Sequence, residues 1–183
     1  MTWIDFLVIG LFIVYTVGGF FTGVIRRLIG LVAMYLALLA ATNMGVQAGG
    51  ILGQSSNFNL PDGKIYGFFG ILTAILVIVE AATQLAHSQI QIPALIFNNA
   101  FGAAIGLVTA VLLSVVVVYE LGAAGNPFGG SQLDPLQQRI RDAYQGSHVA
   151  VPIVQQIQKP IVLLFGGALP PDPQVYFGPS PVT

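Results

Sequence analysis

The sequence predicts an all-α integral membrane protein: a four-transmembrane-helix bundle, then a short amphipathic or interfacial helical region and a Pro-rich extended tail. Three observations carry that fold class. Of 183 residues, 55% are apolar and 7% charged, against roughly 25% charged in an ordinary soluble domain. Seven of the thirteen charges lie in residues 1–133 and six in residues 134–183, so the first part is the more embedded. Between the early charges run uncharged stretches long enough to cross a hydrocarbon core about 30 Å thick.

Residues 6–25 hold twenty positions without a charge and form the first span. The terminus ahead of it, MTWID, carries an acid and no Lys or Arg, which predicts a retained anchor instead of a cleaved signal. Trp3 occupies the place of an interfacial aromatic, and Arg26 with Arg27 puts the far end of the span in the cytoplasm by the positive-inside rule. The second span is expected over 28–46, followed by a Gly-, Asn- and Ser-rich loop at 46–64. A third span covers about 65–86, interrupted by Glu80. His87, Ser88, Gln89 and Gln91 form a polar connection, and Pro93 suits the first turn of a fourth span over 94–120, ending at Glu120. Four spans beginning outside also end outside, so the amino terminus and the tail are expected on the non-cytoplasmic side.

Beyond residue 121 a Gly/Pro linker (122–132) is expected. Asp134 then reads as an N-cap and Pro135 as the first helical residue of a short amphipathic helix with Leu136, Ile140 and Tyr144 on one side. Residues 148–165 are apolar, but Pro152 and Pro160 interrupt them, which predicts an interfacial or docked helix. The stretch 166–183 carries five prolines and is expected to be ordered only along a partner.

Small residues recur every four positions at Ala33, Ala37, Ala41 and Gly45 and at Gly102, Gly106, Ala110 and Ser114. Helices in lipid gain little from hydrophobic association, so such stripes serve close backbone approach within the bundle or, alternatively, a homodimer face. Gly19 and Gly23 repeat the spacing where the first span passes into the second.

Composition removes several chemistries. A net charge of −1 supplies no basic field for nucleic acid. Without cysteine there is no disulfide, thiol nucleophile or Cys-ligated metal. No nucleophile elbow or phosphate loop is present, so the chain is expected to be no enzyme and to hold no cofactor or metal. His87 and His148 read as interfacial or surface histidines, with ligation of a pigment in a large assembly as the other reading. Glu80 is the one acid well inside a predicted span; with no Lys or Arg in the other spans, it is either a protonated hydrogen-bond donor between helices or part of a proton or ion relay. Asn98 and Asn99 open the fourth span and read as a polar helix start, with backbone or lipid-headgroup contacts as the other reading.

In order and spacing, MTWID, Gly19-x-x-x-Gly23-x-x-Arg26, the four hydrophobic spans and NNAFGAAIGLVTAVLL (98–113) resemble the colicin V production protein family over about residues 1–120. A weaker echo follows at Ser147 and Pro152. The resemblance implies a small bacterial inner-membrane protein linked to colicin V production and envelope physiology, with Asp5, Gly19, Gly23, Arg26, Gly102 and Gly106 as characteristic residues. The sequence departs from the family pattern at Asn98–Asn99, where an acid or Asn followed by Arg is usual.

Two functions stay open. One is a non-enzymatic membrane protein supporting toxin production, export or envelope processes, with solute movement through the bundle as one route. The other is an accessory subunit of a larger bioenergetic or photosynthetic complex. The expected partners are the lipid bilayer and other membrane subunits or a second copy.

Overall fold

The computed structural model describes residues 1–56, 59–87, 95–129 and 133–179, without the side chains of 54–56, 86–87 and 95–96. These residues form six helices and no strand: α1 (Trp3–Ser56), α2 (Leu60–His87), α3 (Leu95–Gly125), α4 (Pro135–Gln145), α5 (Ala150–Phe165) and α6 (Pro173–Tyr176). Three helical stretches are long and apolar enough to cross a membrane, Trp3–Gly53, Leu60–Leu85 and Phe97–Gly125.

The first stretch is 51 residues long, about 76 Å if straight, more than twice a hydrocarbon core. It does not run straight. Gly23 leaves the helical region at φ 75° and ψ −178°, a positive-φ extended backbone that essentially only glycine adopts and that costs other residues roughly 1–3 kcal/mol. Across this break the Arg27 guanidinium lies 5.6 Å from the centre of the Tyr15 ring. Twelve residues of continuous helix would hold the two backbones about 18 Å apart, so the chain folds back at Gly23 into two arms. Gly19 abuts Gly102 and Tyr15 abuts Gly106, which runs the first arm antiparallel to α3. Gly45 abuts Phe68 and Gly49 abuts Gly63, which runs the second arm antiparallel to α2. The two arms, α2 and α3 are the four helices of the bundle.

The small-residue stripes lie inside this bundle. Ala33, Ala37, Ala41, Ala110 and Ser114 are buried, while Gly45, Gly102 and Gly106 lie against backbone of a neighbouring helix. Large apolar side chains such as Phe6, Phe21 and Phe101 point outward, as lipid-facing residues do.

Four boundaries differ from the sequence reading, each for a packing reason. The expected loop at 46–64 is helical through Ser56 and again from Leu60, because Gly49 and Gly63 let α1 and α2 meet backbone to backbone. α3, the helix of the fourth expected span, continues past Glu120 to Gly125. Gly122 lies beneath the Tyr144 ring and Gly125 beneath the Arg141 backbone, so these linker-like glycines are the seat on which α4 crosses α3. The tail does not wait for another chain: through Gly178 it lies on its own bundle, where Thr42 Oγ1 donates to Ala168 O (2.7 Å) and Tyr176 Oη to Ala41 O (3.2 Å). Phe68, Phe69, Tyr176 and Phe177 interlock there with ring centres 4.9–6.4 Å apart, each such pair adding roughly 0.5–1.5 kcal/mol beyond area burial. The expected polar connection at 88–91 and Pro93, and the side chain of His87, lie outside the described residues.

α4 starts at Pro135, and the Asp134 amide donates to Gln137 Oε1 at 3.2 Å. α4 and α5 meet at 93°. α5 descends along the bundle until Phe165 reaches the Tyr35 ring, 6.1 Å between centres, and the chain then returns so that Gly178 accepts a hydrogen bond from Lys64 Nζ at 2.8 Å.

Candidate functional site

Charged and polar side chains gather at the two ends of the bundle. At the Gly23 end the fold-back aims both arginines at α2. Arg26 Nη2 donates to the Glu80 carbonyl (2.8 Å) and to Glu80 Oε1 (2.7 Å), and Arg27 Nη2 reaches the same carboxylate oxygen at 3.4 Å. Arg27 Nε also donates to Thr22 Oγ1 (3.1 Å), whose hydroxyl donates to Gly18 O (2.7 Å). The arginine side chains are 8% and 4% exposed and Glu80 is 42% exposed. This corrects the expectation that Glu80 lacks a basic partner: Arg26 and Arg27 follow the first span in sequence, but the turn carries them onto α2. In the structure Glu80 Oε1 accepts from both guanidiniums. Asn98 completes this end. Its Oδ1 accepts from Val24 N at 3.1 Å, satisfying an amide that the break at Gly23 removes from the helical ladder.

At the other end Asp5 is fully buried and ties the amino terminus to the start of α5. Its Oδ2 accepts from Thr2 N (2.7 Å), and its Oδ1 accepts from Ser147 Oγ (2.5 Å), Ala150 N (2.9 Å) and Val149 N (3.4 Å). Ser147 Oγ in turn accepts from Val151 N at 3.1 Å. Asp5 is therefore a capping carboxylate for α5 supplied from the far end of the chain, a favourable place for negative charge. The first and last pieces of the resemblance, Asp5 and Ser147, are thus in direct contact. His148, beside Ser147, is exposed.

Two buried charges escaped the sequence reading. Glu120 is fully buried on α3, and neither carboxyl oxygen has a hydrogen-bond partner. Lys64 is fully buried beneath the returning tail. Glu120 looked like the end of a span; the signal against that was the apolar and small run LGAAG that follows it. Glu80 is paired and partly exposed, whereas Glu120, like Asp5, is fully buried. Tyr176, folded over this end, has its phenol raised above the ordinary tyrosine range by burial first and by the nearby Glu120 second.

Between the first arm and α2, floored by α3 and closed at one end by α4, lies a groove of about 1070 Å³. Its walls are almost wholly apolar, among them Trp3, Leu11, Phe69, Leu72, Val77 and Leu113. Val77 and Ile78 on its edge are 61% and 64% exposed, so the groove opens sideways. Among the described residues no group of three or more His, Asp or Glu converges as a metal site.

A family model described as colicin V production protein matches residues 4–156, most of the chain and both charged ends. No curated protein and no solved structure gives a significant match.

Proposed function

The chain belongs to the colicin V production protein family, and we propose that it works in the bacterial inner membrane as a non-enzymatic partner of another membrane protein, supporting toxin production, export or envelope processes. Its sideways groove seats an apolar transmembrane helix of that partner. The groove is the observation that carries this reading: an aqueous path needs polar lining, and these walls offer side-chain contact to an apolar surface. The paired state of Glu80 supports the same choice, since its carboxyl ties the Gly23 turn to α2 instead of lining the groove. By the positive-inside rule the Arg26–Arg27 end faces the cytoplasm, and the amino terminus and tail face outward.

Gly70 lines the groove and has open space where a side chain would project, so Gly70→Trp fills the groove without disturbing the backbone. The expected result is loss of the toxin-production phenotype, together with loss of a covalent adduct from a photoreactive side chain at Val77 to one membrane protein. Glu80→Gln retains both. A Gly70→Trp protein that folds and keeps the phenotype overturns the proposal.

Solute movement has one observation of its own in Glu120, a buried carboxyl without a donor. Proton flux in proteoliposomes tests it, and flux equal to that of protein-free liposomes removes it.

A further inference from the structure

We infer a second binding site, on the face of α3 opposite the groove, for a phospholipid whose headgroup carries both a phosphate and a primary amine. Two cavities of about 430 and 420 Å³ meet there, sharing Tyr119 and Gln158. Each is of the size that small ligands occupy, roughly 300–1,000 Å³. The first is half polar, with Asn126, Tyr144, Asp172 and Gln174 in its wall. The second holds Lys159 at its rim and then Val162, Leu163 and Gly166.

The chemistry of the walls selects the ligand. Lys159 and Asp172 stand on opposite parts of the joined cleft, both exposed, and neither enters an ion pair among the described residues. Asp172 Oδ1 accepts only a peptide amide, Val175 N at 3.2 Å. An ammonium and a carboxylate held apart in one cleft suit a ligand with a negative and a positive group. A purely anionic lipid would bring its charge against Asp172. A soluble zwitterion would leave the apolar second cavity unused, whereas Leu163 there is 84% exposed, apolar surface for an acyl chain.

The depth agrees. Tyr119 stands twenty-one residues beyond Asn98 along α3, about 32 Å of rise and so one hydrocarbon thickness from the Arg26 end. That is headgroup level, where tyrosine is favoured. The return of the chain after α5 builds the cleft, because it brings Asp172 back opposite Lys159.

The test uses the full chain, delipidated and returned to vesicles of equal phosphatidylethanolamine and phosphatidylglycerol, with retained lipid read by native mass spectrometry. The wild type is expected to retain the ethanolamine lipid in preference by about tenfold, the scale of one hydrogen bond to a charged group. Lys159→Gln weakens retention of both lipids. Asp172→Asn, which still caps α6, erases the preference while leaving total retention. Equal retention of the two lipids by the wild type overturns the assignment, as does a preference unchanged in Asp172→Asn. Displacement of the lipid by an equimolar amount of free phosphoethanolamine also overturns it, since the ligand would then be the soluble ester.

Discussion

At the Gly23 end of the bundle, the charged side chains of residues 26, 27 and 80 pair with one another within the first half of the chain. At the Asp5 end, the partners arrive from more than one hundred residues away: Ser147 and Ala150 on Asp5, and Gly178 on Lys64. The first end is closed by a tight turn and backbone-to-backbone helix contact. The second is closed by a lid, built from α4, α5 and the returning tail. A buried charge in lipid calls for a partner: the turn end meets this chiefly by pairing neighbouring side chains, the Asp5 end chiefly by borrowing groups distant in sequence, and Glu120 has no hydrogen-bond partner among the described residues. The turn end is therefore sensitive to steric change, and the lid end to the loss of single hydrogen-bonding groups.

The largest effect is expected from Gly102→Val. A Cβ at Gly102 meets the Gly19 carbonyl and the Gly23 backbone, neither of which can move aside as a side chain would. Overpacking of this kind costs about 3 kcal/mol, and thermal unfolding in detergent should show it as loss of the folded bundle. Asp5→Ala comes next, at about 2 kcal/mol, because it leaves the Ser147 hydroxyl and the amides of Ala150 and Thr2 without their acceptor. Hydrogen exchange should quicken at the first turn of α5 while the Val24 amide stays protected. Equal quickening at both ends would show that the lid and the turn are one cooperative unit. Glu80→Gln should cost only about 1 kcal/mol, since the carboxylate is partly solvated and Arg26 keeps its bond to the residue-80 carbonyl.

The two ends also differ in how far they could be read from sequence. The turn was legible because its determinants are local: a glycine pair, an arginine pair and an uncharged run of bilayer length. Even there the partner of Glu80 was missed, since spacing does not reveal that a chain reversal swings Arg26 onto α2. The lid was legible in pieces. Pro135 opened α4 as expected, but nothing local to Asp5 or Ser147 says that they meet, and the prolines of the tail hide the buried Tyr176 and Phe177. Glycine was the most ambiguous letter, because Gly49, Gly63 and Gly122 have the composition of loops and the job of admitting a neighbouring backbone.

Tyr176 offers a smaller test confined to the lid. Burial disfavours its ionised form, so its pKa is higher folded than unfolded. The folded state then holds the proton that the unfolded chain releases, and stability falls as pH rises above the ordinary tyrosine value near 10. Wild-type protein should lose stability over that alkaline range more steeply than Tyr176→Phe, with melting followed by circular dichroism. Identical slopes would mean that the lid is already open at high pH.

The smallest effect is expected at Gly30, in the second arm between the Arg27 contact and the buried stripe that starts at Ala33. Gly102 and Gly30 are both helical glycines in apolar surroundings, but a Cβ at Gly30 meets nothing within 4 Å. With no neighbour to displace, Gly30→Ala should gain about 0.5 kcal/mol from the reduced backbone entropy of the unfolded chain. The sign is the informative quantity. A gain means that the glycine faces lipid and that close packing belongs to the buried stripes. A loss approaching that of Gly102→Val would mean that in the membrane another backbone lies against Gly30, giving the second arm a partner that this chain does not itself supply.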